Sequence, residues 1–152
     1  MHRLQRTQRI PKPINEVFEF FADASNLEAI TPPFLKFRIL TPLPIEMKEG
    51  ARIEYALSLF GVPIRWKTLI STWEEGVQFV DEQTSGPYSL WIHRHTFEAD
   101  GDETVMEDTV DYKEPFGPLG QIAHLLFVRY TLKQIFDYRA RIIEKLLCEP
   151  TK

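Results

Sequence analysis

The sequence predicts an α+β fold: a curved antiparallel β-sheet covering a long C-terminal α-helix, with two short helices after the first strand. Three observations predict it. From Pro118 to Cys148, apolar residues recur at helical spacing over the whole stretch. From Phe34 to Lys113 the period changes to two, punctuated by turn residues. Two short helical patterns separate that region from an opening strand. A run of strands followed by one long amphipathic helix gives an antiparallel sheet, and a helix about 45 Å long needs a broad apolar cover.

Each element has its local reason. Arg3 to Ile10 alternates weakly and reads as an edge strand, closed by Pro11-Lys12-Pro13. Arg3, Arg6 and Arg9 make a solvated edge that discourages strand pairing. Ile14, Val17, Phe18 and Phe21 form the stripe of a short helix. Ser25 with Glu28 fits a capping box for a second turn, Asn26 to Ile30, which Thr31-Pro32-Pro33 ends. Leu35, Phe37 and Ile39 suggest a strand before the proline-rich stretch Thr41 to Gly50. Ala51 to Phe60 and Ile64 to Trp73 flank a hairpin turn at Gly61-Val62, with Trp66, Thr68 and Ile70 facing inward. Val77 to Thr84 is a strand whose facing stays undecided, because Phe79 and Val80 are adjacent and both apolar. Leu90 to Glu98 and Thr104 to Lys113 form a last hairpin around Gly101. In the terminal helix the stripe includes Leu125, Val128, Leu132, Ile135, Phe136, Ile142 and Ile143, while Arg129, Lys133, Arg139 and Arg141 fall mostly on the other side.

Two stretches, Pro13-Ile14-Asn15-Glu16-Val17-Phe18-Glu19-Phe20-Phe21 with Asn26-Leu27 and Phe79-Val80-Asp81-Glu82-Gln83 with Gly86-Pro87-Tyr88, form a recognisable set. Trp91-x-His93-x-His95-x-Phe97 and Asp108-x-Val110-x-Tyr112 leading to Pro115-Phe116-Gly117 complete it. With these motifs the chain resembles the START and birch-pollen-allergen superfamily, also called SRPBCC. The resemblance spans essentially all of residues 1–152 as one domain, and the chain looks like the bacterial ligand-binding members of unassigned function. It implies the helix-grip fold, a curved antiparallel sheet wrapped around the terminal helix with a mostly apolar cavity between them. It implies no particular substrate, because members bind, transport, cyclise or hydrolyse different small molecules on one scaffold.

Composition narrows the partners. A net charge of −4 gives no basic face for nucleic acid. The single cysteine, Cys148, excludes an internal disulfide and a multi-cysteine zinc site, and reads as an inert thiol. Met1 to Arg9 lacks the apolar core of a signal peptide, and no apolar run reaches membrane-spanning length. A cytoplasmic protein without stable membrane insertion is expected, and no cofactor is implied.

Chemistry concentrates on the last hairpin. Trp91, His93, His95 and Phe97 share one strand face, and Met106, Asp108, Val110 and Tyr112 share the facing one. Asp108 should stand across from His95 or His93, where a carboxylate orients an imidazole and favours its charged form. Such a cluster serves acid–base work, or it anchors a ligand or satisfies buried polarity. No serine, cysteine or lysine pairs with it as a nucleophile. A metal is not expected, because Glu98 has the opposite parity to His93 and His95, while His2 and His124 lie in distant segments.

The candidate ligand lining is Tyr55, Trp66, Trp91, His93, His95, Phe97, Met106, Asp108, Tyr112, Leu126 and Phe136, with Trp73 and Tyr88 as further aromatics. Aromatics on strands also serve as plain core. Ile122 to Val128 is apolar nearly all round except at His124, which suits a cavity portal, a homodimer contact or a transient membrane contact. The expected function is binding of a small hydrophobic or aromatic molecule. One alternative is a cyclase, dehydratase or hydrolase of polyketide-like substrates using His93, His95 and Asp108; another is a partner-binding domain with a filled interior. A continuous cavity above roughly 300 Å³ favours a ligand, and a filled one favours a partner.

Overall fold

The computed structural model describes residues 1–59 and 61–148. Phe60, the Cys148 side chain and Pro150 lie outside the described part, and with them the inert-thiol expectation. The elements run β1 (His2–Ile10), α1 (Ile14–Ala22), α2 (Asn26–Ala29), a 3-10 turn (Pro33–Leu35), β2 (Arg38–Ile39), β3 (Arg52–Leu59), β4 (Val62–Glu74), β5 (Gln78–Ser85), β6 (Leu90–Asp100) and β7 (Glu103–Lys113). Then come α3 (Pro118–Ala123), a π-helical turn (His124–Val128) and α4 (Arg129–Cys148).

The strands form one antiparallel sheet in the order β1-β7-β6-β5-β4-β3-β2. Only β1 departs from sequential order, pairing with β7 to make one edge. Its arginines are not merely solvated. Arg3 pairs with Asp111, Arg6 with Asp137 of α4 and Arg9 with Asp100, so the edge is tied to its neighbours. Register shifts in β4, after Lys67 and around Ile70 to Thr72, break the ladder with β5.

Two apolar clusters lie between the sheet and the helices. Phe18 and Phe21 of α1 pack with Phe79, Phe97, Met106 and Ile143. Trp66, Trp91, Val110, Tyr112, Leu132 and Phe136 form the other. Leu132, Phe136 and Ile143 are the buried stripe of α4. Along β6, His93 and His95 fall between Trp91 of one cluster and Phe97 of the other. The polar residues therefore sit at the seam of the core. No helix is long and apolar enough to cross a membrane among the described residues.

Four local expectations need correction. The strand around Leu35 to Leu40 shrinks to Arg38–Ile39, because Pro33–Leu35 coils into a 3-10 turn and Lys36 takes a left-handed conformation. Ser25 makes no cap hydrogen bond; its hydroxyl donates to Asp23, while Glu28 accepts from the Ile39 amide and ties α2 to β2. The terminal helix is not one uniform rod. The π turn inserts a residue and rotates what precedes it by about 100° relative to a regular helix. Ile122, Leu125, Leu126 and Phe127 consequently face outward, and His124 is buried. Arg139 lies inward rather than on the charged side, with its side chain only 12% exposed.

Candidate functional site

A cavity of about 180 Å³ lies between the sheet and α4. Its walls are mainly apolar: Phe21, Leu27 and Ile30 from the first helices, Ile53, Leu57, Trp66 and Ile70 from β3 and β4, Trp91 from β6, and Leu132, Ile135 and Phe136 from α4. Strand alternation delivers these residues, since Trp66, Thr68 and Ile70 share the inward face of β4. One wall is polar, formed by Asp81, His93, His95 and Arg139. A second polar spot is Tyr55, whose hydroxyl hydrogen-bonds Thr68 Oγ1 at 2.7 Å. Burial pushes the Tyr55 phenol up, with the Asp81 charge adding to it, so it stays neutral.

The polar wall is a closed network. His93 Nε2 lies 2.8 Å from Asp108 Oδ1, and His95 Nε2 lies 2.6 Å from Asp81 Oδ2. His95 Nδ1 faces Asp108 Oδ1 at 3.2 Å, and the Arg139 guanidinium sits 3.6 Å from the same oxygen. The two imidazoles stack with centroids 3.6 Å apart, and Phe79 stacks on the other face of His95 at 4.0 Å. His95 is thus sandwiched between rings and gripped edgewise by two carboxylates.

This geometry separates the two histidines electrostatically. Burial alone would push His95 down, but hydrogen bonds to Asp108 and Asp81 and their charges raise it. His93 goes the other way: burial and the neighbouring His95 lower it, against the pull of both aspartates. Burial opposes ionisation of Asp108, yet the Arg139 charge and the histidine hydrogen bonds hold it well below the usual carboxylate range. Asp81 is likewise lowered despite burial, by the charge of His93 and the His95 hydrogen bond. The surroundings therefore favour ionised aspartates and the charged form of His95, and the neutral form of His93.

Asp81, His93 and His95 also offer ligand atoms within 4.8 Å of one another. His93 Nε2, both His95 nitrogens and Asp81 Oδ2 are already engaged within the network, and Arg139 supplies a cation beside them. A metal ion would have to break that network.

The structure brings Tyr55, Trp66, Trp91, His93, His95 and Phe136 together on the cavity wall, with Asp108 directly behind the histidines. Tyr88 joins them. Phe97 and Met106 do not reach the cavity; they pack beneath α1 in the other core cluster. Tyr112 also lies off it, its hydroxyl 2.8 Å from His124 Nε2. Leu126 is 59% exposed on the π turn, away from the lining. Trp73 packs edge-on against Phe18 rather than lining the cavity.

Two network members were not anticipated. Asp81 depends on the facing of β5, undecided while Phe79 and Val80 compete; both prove buried. Its parity with Phe79 was the available signal. Arg139 follows Phe136 by three residues and precedes Ile143 by four, which puts it on the buried stripe.

No protein-family model matches the chain, and no curated protein does. Solved structures do. A START superfamily protein from Mycobacterium smegmatis superposes with a TM-score of 0.71 at 14% identity, covering 97% of each chain. A Chromobacterium violaceum protein gives 0.76 at 10% identity over 99% of this chain and 100% of that one. The major latex-like protein 151 of Panax ginseng gives 0.66 at 14% identity, over 97% of this chain and 98% of its own. At such identities the likeness is one of fold: the chain has a START-like helix-grip fold.

Proposed function

We propose that the chain is a binding protein for a small, neutral, predominantly aromatic molecule, held between the sheet and α4. The observation that carries this reading is the pairing of an aromatic-walled cavity with unsatisfied donors on its lining. Trp66 Nε1 and Arg139 Nε are both buried without a hydrogen-bond partner among the described residues, and both residues line the cavity. Buried donors left unpaired cost about 1–3 kcal/mol each, which a ligand oxygen would recover. The volume of about 180 Å³ falls below the roughly 300 Å³ of drug-sized pockets but above the roughly 150 Å³ that admits benzene. A single ring carrying a hydroxyl or carbonyl oxygen fits both limits. A neutral ligand suits this wall, because its guanidinium already faces the Asp108 carboxylate at 3.6 Å.

Catalysis is the second reading. His95, held between Asp81 and Asp108 at the cavity wall, has the surroundings of a general acid, which suits a cyclase, dehydratase or hydrolase of polyketide-like substrates. Among the described residues that line the cavity there is no serine, cysteine or lysine to act as nucleophile, and binding is the preferred reading. Native mass spectrometry of the freshly purified protein tests the binding reading. A co-purified aromatic molecule of one ring, lost on denaturation, is expected; a bound anion or long-chain lipid would overturn it.

A further inference from the structure

We infer that His2, Glu114 and His124 form a zinc site at the edge of the sheet, separate from the ligand cavity. None of the three lines that cavity. They come from distant parts of the chain: the start of β1, the residue after β7 and the π turn. His2 Nε2 lies 3.0 Å from Glu114 Oε2, and His124 Nε2 lies 4.0 Å from Glu114 Oε1. One ligand atom from each falls within 4.8 Å of the others.

The carboxylate is the reason to place an ion here. The Glu114 side chain is 95% buried, at 5% exposure, and neither of its oxygens has a hydrogen-bond partner among the described residues. His2 Nε2 likewise makes no hydrogen bond of good geometry, although it stands 3.0 Å from Glu114 Oε2. A carboxylate this deeply buried, with only such contacts, is a costly arrangement that a divalent cation answers directly. Two ligands bound to one zinc at about 2.0–2.2 Å each stand roughly 3–4 Å apart, the range of the two measured distances.

Local structure supports the placement. The π turn buries His124 while its neighbours Leu125 and Leu126 face outward, and such turns recur at functional sites. Gly120 admits the preceding segment against the site, since a Cβ there would stand 2.2 Å from the Pro115 carbonyl and 3.1 Å from Glu114 Cβ. The His2 and His124 rings stack face to face at 3.5 Å, so one ring must turn for both in-plane lone pairs to meet at the ion. The Tyr112 hydroxyl, 2.8 Å from His124 Nε2, would give up that hydrogen bond when the nitrogen takes the ion. Two imidazoles and one carboxylate favour zinc over calcium or magnesium, which take oxygen ligands.

The test uses the untagged full-length protein, stripped with a chelator and titrated with zinc chloride by calorimetry. One equivalent should bind, and zinc should raise the melting temperature. His2→Gln, Glu114→Gln and His124→Gln should each weaken binding by about 100-fold and abolish the thermal shift. His93→Gln and Asp81→Asn should leave zinc affinity unchanged. Because His2 opens an edge strand, His2→Gln should stay folded by circular dichroism even if the buried substitutions do not. No binding by the wild type, or a loss of less than about tenfold in His2→Gln, overturns the site. So does a loss of affinity in His93→Gln, which would move the ion to the other histidine pair.

Discussion

Asp108 stands directly opposite His95 in the β6–β7 ladder, yet its shorter contact, 2.8 Å, goes to the diagonal neighbour His93. Asp81 repeats the pattern on the other side: it stands opposite His93 in the β5–β6 ladder and bonds His95 at 2.6 Å. The crossed contacts place both imidazoles between both carboxylates. Removing either aspartate therefore disturbs both histidines.

His95 should titrate above its reference value of about 6.5 and His93 below it. The stability contributed by His95 is full below the unfolded value and lost as pH rises through the folded one. For His93 the sign is reversed: stability is lost as pH falls from the unfolded toward the folded value. Asp108→Asn keeps the shape, removes the charge and should bring the His95 titration down. Two-dimensional NMR of the imidazole nitrogens checks this, and an unmoved His95 would break the proposed coupling.

The carboxylates set the acid limit. Asp108 and Asp81 are both held low in the folded chain, so their stabilisation is present above about pH 4 and is lost as pH falls through their folded values. Arg139→Met removes the guanidinium that Asp108 depends on most. A loss of about 3–5 kcal/mol at neutral pH is expected, with acid unfolding moved to higher pH. Urea denaturation across a pH series measures both effects.

Phe136→Ala should cost about 3–5 kcal/mol, because the ring is 5% exposed and packs among Trp66, Trp91 and Leu132. It also borders the cavity, so the space left behind joins an existing void. Guanidinium denaturation showing a loss under about half a kcal/mol would mean the packing is misassigned.

Much of this was legible from residue spacing. The inward face of β4, the shared face of His93 and His95 and the buried stripe of α4 all follow from periods of two and 3.6. What spacing could not supply was phase. A run of apolar residues from Ile122 to Val128 looks the same in a regular helix and in a π turn, and only the turn sends Leu126 outward and His124 inward. Asp81 was hidden because Phe79 and Val80 satisfy either facing of β5. The meeting of His2 with His124 is tertiary, set by β1 returning beside β7 rather than by anything local.

That phase error changes what the π turn should do. Leu126 lies outside the cavity lining, so Leu126→Ser should leave ligand binding unchanged and stability within about half a kcal/mol. Dye binding and melting curves measured side by side check it. A selective change in dye affinity would restore the segment as a portal.

The most direct test of the central claim is a titration of intrinsic fluorescence with phenol and with benzoate, which differ in charge on the same ring. Trp66 and Trp91 report because both line the cavity. Saturable 1:1 quenching by phenol is expected, weakened by about tenfold in Trp66→Phe, with benzoate binding at least tenfold more weakly than phenol. Benzoate binding as tightly as phenol, or no saturable response to phenol, would contradict a neutral aromatic ligand between the sheet and α4.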